Sequence, residues 1–115
     1  MNATQIKHTK LTATLNAAEA ALDARKSALQ IELGRELTWF EIDVLPEYEV
    51  YHKTLTEVNE LEKATISKAL AKAKKVCPLS YISFLKDVEA SGLELNTFLL
   101  IYQSEIFGWA LKLRS

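Results

Sequence analysis

The sequence predicts an all-α protein: a long antiparallel, coiled-coil-like helical hairpin over about residues 4–76, with two shorter C-terminal helices over about 78–113 packed on it. Three observations carry that expectation. Apolar residues recur in alternating steps of three and four along two stretches of about thirty residues each. Both prolines and two of the three glycines fall between the periodic stretches. The composition, 49% hydrophobic and 25% charged over 115 residues, is that of a folded chain with one modest core. With no repeat, low-complexity tract or Gly/Ser-rich linker in between, residues 1–115 read as a single domain.

In the first stretch Leu15, Leu22 and Leu29 recur every seven residues, and Leu11, Ala18 and Arg25 form the interleaved set, which makes a narrow seam. Ala13, Ala17, Ala20, Ala21, Ala24 and Ala28 flank it, favouring helix and letting a neighbouring helix approach closely. Gly34 closes this segment. The connector that follows carries Trp39, Phe40, Ile42, Val44 and Leu45, too many large apolar groups for a solvated linker. Its near-alternation of apolar and polar residues favours an extended, partly buried loop folded back over the helix pair, with a helical turn as the alternative.

Pro46 opens the second long stretch, whose stripe runs Tyr48, Tyr51, Leu55, Val58, Leu61 or Glu62, Thr65 or Ile66, Ala69, Ala73 and Val76. At 1.5 Å per residue it spans about 45 Å, matching the first helix in length. Two narrow seams leave apolar surface wet, so further helices are needed. Pro78 starts one through Tyr81, Ile82, Phe84, Leu85 and Val88, ended by Ser91 and Gly92, and Asn96 or Thr97 is placed to cap another from Phe98 to about Leu113.

That last helix bears the most on function. Its large apolar residues sweep about 220° of the helical projection, wider than the stripe of somewhat over 100° that one face of a surface helix needs. Gln103 is the chief interruption, and Ile101 lies outside even this arc. Either the helix sits centrally in the fold or its second face meets another chain, and because so small a chain has little room to surround a helix completely, contact with another molecule is favoured. The candidate self-association residues are Phe98, Tyr102, Ile106 and Trp109 along one side and Leu100, Phe107 and Leu111 along the other.

Charge narrows the partners. With 14 basic and 15 acidic residues the net charge is −1, so no global excess draws the chain to phosphate backbones. The distribution is uneven, however. Residues 36–62 hold eight acids and one lysine, including Glu36, Glu41, Asp43, Glu47 and Glu49, and residues 63–75 hold five lysines and no acid. Lys68, Lys72 and Lys75 share one helical face turned away from the stripe, and with Lys74 they are the candidate nucleic-acid contacts. No arginine stripe, stacking platform or recognition-helix motif accompanies them, and lysines near a helix C-terminus also complement its dipole.

Catalytic and metal signatures are missing from the string. Cys77 is the one cysteine and reads as a small buried apolar group. His8 and His52 stand far apart, without ligand spacing, and the three glycines form no phosphate-cradling loop. The N-terminal twenty residues lack the apolar run of a secretion signal, and no apolar stretch reaches the length of a membrane span. The sequence therefore leads us to expect a cytoplasmic, non-enzymatic protein–protein interaction module, an adaptor, chaperone or inhibitor of a larger protein. Such a module would self-associate, a dimer first, with no cofactor, metal or membrane. Nucleic-acid binding through the lysine face is the alternative.

Overall fold

The computed structural model describes residues 2–114. Six helices follow in order: α1 (Ala3–Leu33), α2 (Trp39–Asp43), α3 (Pro46–Val76), α4 (Pro78–Ser91), α5 (Leu95–Ile101) and α6 (Gln103–Arg114), with no strand among the described residues. The fold is all-α, with a long helical hairpin followed by shorter C-terminal helices, as the periodicity predicts. The chain divides into two compact units between Asn59 and Glu60, a point inside the continuous helix α3.

The first unit is the hairpin of α1 with the leading half of α3. Asn2 opens α1 through a capping box: its side chain accepts from the Gln5 N–H at 2.8 Å, and the Gln5 side chain accepts from the Asn2 N–H at 2.9 Å. Gly34 ends the helix in the left-handed region, with φ of 70°, where a side chain would be strained. The buried residues are Ala18 and Leu22 on α1 and Thr54 and Val58 on α3, with Leu11, Leu15, Leu29, Tyr51 and Leu55 half-buried beside them. Arg25, the polar member of the seam, stays exposed and lies 4.0 Å from Glu47, consistent with antiparallel pairing.

The connector differs from the expected extended loop. Residues Trp39–Asp43 form a helical turn, because Thr38 and Glu41 make a second capping box. The local hydrogen bonds outweigh the period-two pattern. Burial there is partial too: Leu37, Ile42 and Leu45 are half-buried, while Trp39, Phe40 and Val44 are exposed.

The second unit gathers the trailing half of α3 with α4, α5 and α6 around Ile66, Ala69, Phe84, Val88, Ile106, Phe107 and Ala110. Pro78 occupies the first turn of α4 and Gly92 ends it with φ of 73°. Val76, placed on the stripe from sequence, is instead exposed at the last residue of α3. The single last helix expected over 98–113 is two: Tyr102, at φ −105° and ψ 26°, leaves the helical basin and separates α5 from α6. The first of these begins after Glu94 rather than at Asn96 or Thr97, and no side chain caps it.

Two polar residues interrupt the apolar faces of this unit, Glu62 on α3 and Gln103 at the start of α6. They answer one another, Gln103 Nε2 donating to Glu62 Oε1 at 2.8 Å. A buried carboxylate is tolerated where it is hydrogen-bonded, and this pairing fixes α6 against α3.

Candidate functional site

In the first unit the residues of interest sit on the connector. An isolated five-residue helix does not hold itself together in water, so side-chain bonds and packing must order α2. The Glu41 N–H donates to Thr38 Oγ1 at 3.2 Å and the Thr38 N–H donates to Glu41 Oε1 at 2.9 Å. Arg35 grips the same carboxylate with both guanidinium arms, at 2.8 and 3.0 Å, and donates to the Glu36 carbonyl at 2.9 Å. The Arg35 hydrogen bond, followed by those from the Thr38 backbone and hydroxyl, holds the Glu41 carboxyl down at about 2. The same partnership raises Arg35.

What this clamp presents is apolar. Trp39 is 70% and Phe40 73% exposed. Trp39 meets Tyr48 edge to face with centroids 6.0 Å apart, and Tyr48 stacks on His52 at 5.9 Å. Beside this ladder Val44, Leu45, Tyr48 and His52 line an open groove rimmed by Asp43, Glu49 and Glu57, with Lys53 the one basic member. Ile31 and Leu33, at the end of α1, are exposed as well. The aromatic pair was visible in the sequence as apolar content, but its outward presentation was not. The Thr-x-x-Glu spacing over residues 38–41 was the signal that could have revealed the turn.

In the second unit the residues singled out for self-association separate into three groups. Ile106 and Phe107 are buried within the chain's own core, and with Ala110 they span about 100° of the projection, the ordinary width of one packed face. Phe98, Trp109 and Leu111 are half-buried against that core. Leu100 and Tyr102 are exposed, and so is Ile101, at 65%, 40% and 58% respectively. The surplus apolar surface of the C-terminal segment thus lies on α5 and its junction with α6. Leu100 also borders a second cavity of about 400 Å³ with Ile66, Leu99 and Gln103.

Phe98, Tyr102 and Trp109 come together with Phe84 of α4. Phe84 and Trp109 stack with centroids 5.4 Å apart and planes 18° apart, Phe98 meets Phe84 edge to face at 5.8 Å, and Tyr102 lies 4.9 Å from Phe98. These rings wall a cleft of about 390 Å³ that Asp87 and Glu105 rim. Sequence reading identified three of the four rings as interface residues and missed both carboxylates.

Lys68, Lys72, Lys74 and Lys75 are all exposed on α3. Cys77 is half-buried rather than fully buried, at the start of α4. Among the described residues no three of His, Cys, Asp and Glu gather as a metal site would require, and no helix is long and apolar enough to cross a membrane. Comparisons with protein-family models, curated proteins and solved structures gave no match to this chain.

Proposed function

We propose that this chain is a non-enzymatic protein-docking module, of the adaptor, chaperone or inhibitor kind, that presents α2 to a larger protein and associates with itself through the exposed part of its C-terminal segment. One observation carries the reading: Trp39 and Phe40 stand out in solvent on a turn closed by a capping box and a two-armed ion pair. Large aromatic side chains dominate the energetics of protein interfaces, and ordering them before contact removes an entropic cost of binding. The acids around the neighbouring groove favour a partner whose contact surface is basic at its edge. For self-association the available residues are the exposed Leu100 and Ile101.

Two double variants separate these roles. Trp39→Ser with Phe40→Ser should abolish capture of a partner from lysate of the source cells and leave the mass in solution unchanged. Leu100→Ser with Ile101→Ser should reduce the mass read by light scattering after gel filtration to that of one chain. If the wild type is a single chain at high concentration, self-association is lost. If the Trp39/Phe40 variant captures the same proteins as the wild type, the docking role of α2 falls.

The four exposed lysines of α3 favour a second reading, contact with nucleic-acid phosphates. Binding to duplex DNA or RNA would then weaken steeply with salt, and Lys72→Glu with Lys75→Glu would reduce it. Absence of binding at low salt ends that reading.

A further inference from the structure

We infer that the cleft between α4, α5 and α6 is a binding site for a small organic monocation of the quaternary-ammonium class. Its volume, about 390 Å³, lies within the range of small-molecule pockets. Phe84, Phe98, Tyr102 and Trp109 supply four aromatic walls. Of these Phe84 is buried, Phe98 and Trp109 are half-buried and Tyr102 is exposed.

The charge of the lining then selects the ligand. Asp87 and Glu105 are its two ionisable members of acidic type, no basic side chain lines the cleft, and among the described residues neither carboxylate is engaged in an ion pair. An anion is repelled by such a lining. A neutral apolar ligand gains nothing from the carboxylates. A compact, strongly hydrated metal ion needs converging oxygens, which aromatic walls do not give. An alkylated ammonium satisfies both halves of the site: its methyl groups pack on the rings, whose faces carry negative potential, and its diffuse charge is balanced by the two acids at the rim. Ser80 and Ser83, also in the lining, suit a hydroxyl on the ligand's tail.

The test uses the full chain carrying Trp39→Phe, which leaves Trp109 as the one tryptophan reporter, since the chain has two. Its fluorescence is titrated with choline chloride, with 3,3-dimethylbutan-1-ol as the uncharged carbon isostere, and with potassium chloride at matched ionic strength. Choline should give a saturable change, with the alcohol at least about tenfold weaker. Asp87→Asn with Glu105→Gln should weaken choline by about tenfold and leave the alcohol unaffected. Equal affinity for choline and the alcohol, or a choline response no different from that of potassium chloride, overturns the proposal. Because choline and the alcohol are compared on unaltered Asp87 and Glu105, that result stands whatever the stability of the carboxylate variant. It is also independent of any effect of α2 on partner capture.

Discussion

Gln103→Leu is the substitution whose cost the structure defines most sharply. It keeps the bulk of the side chain and removes the amide that donates to Glu62 Oε1 at 2.8 Å, on a glutamate only 8% exposed. A hydrogen bond to a charged group is worth about 1.5–3 kcal/mol, so the variant should lose about 2 kcal/mol of stability. Glu62→Leu alone should cost about 1 kcal/mol, because a neutral amide loses its acceptor. Replacing both by leucine removes the carboxylate together with its donor, and should lie within about 0.5 kcal/mol of the wild type, a clear departure from additivity. Urea unfolding followed by far-UV circular dichroism measures all three. With a slope of about 1–1.5 kcal/mol per molar for a chain this size, Gln103→Leu moves the midpoint down by about 1–2 M. Single substitutions that each leave the midpoint in place, or a double variant whose loss equals that of the singles together, would show that the pair contributes nothing specific.

Further outcomes follow from burial and charge. Ile106→Ala, which opens a hole in the second unit's core, should cost about 2–5 kcal/mol in the same unfolding assay, whereas Leu100→Ser should stay within about 0.5 kcal/mol. Thr38→Ala removes the cap of α2 and should destabilise that turn by about 1 kcal/mol, seen as a shifted Trp39 indole N–H resonance. The Glu41 carboxyl, held at about 2 by Arg35 and Thr38, contributes its share fully above the ordinary carboxylate range and loses it as pH falls through that range toward about 2. The same Trp39 resonance should therefore stay constant down to the ordinary carboxylate range, move below it, and already be displaced at neutral pH in Glu41→Gln. Gly92→Ala places a side chain at φ of 73° and should cost about 1 kcal/mol, with no steric clash to add.

The long helices were legible because their signals are local and redundant. Gly34, Pro46, Pro78 and Gly92 fall at helix boundaries in the structure, and the three-four stripe of α3 is buried from Val58 through Ala73. Two failures have one cause, a reading that weighed periodicity above capping chemistry. Residues 39–45 alternate like a strand, yet Thr38 and Glu41 satisfy the amides of a helical turn. The 220° apolar sweep treated residues 98–113 as one straight helix, and no residue type at position 102 announces a break. Side-chain pairing across the chain was out of reach for another reason. Glu62 and Gln103 are 41 positions apart, and each read as an imperfection of its own stripe until the two were seen to meet.

The ordering of α2 bears directly on what the exposed aromatics are for. A connector whose sole task is to join α1 to α3 has no use for a capping box and a two-armed ion pair, since a flexible polar loop of the same length closes the hairpin at little entropic cost. Here Arg35, Thr38 and Glu41 bond among themselves, and the apolar side chains of Trp39 and Phe40 remain mostly in water. Local order spent on side chains that contribute little to the chain's own core is what a preorganised binding element looks like. Arg35→Ala separates the two accounts: it leaves Trp39 and Phe40 in place chemically and frees the turn. If presentation matters, Arg35→Ala should lower partner affinity through faster dissociation with both aromatics intact. An unchanged affinity would mean that the two rings act as exposed apolar surface alone, with no dependence on the turn that carries them.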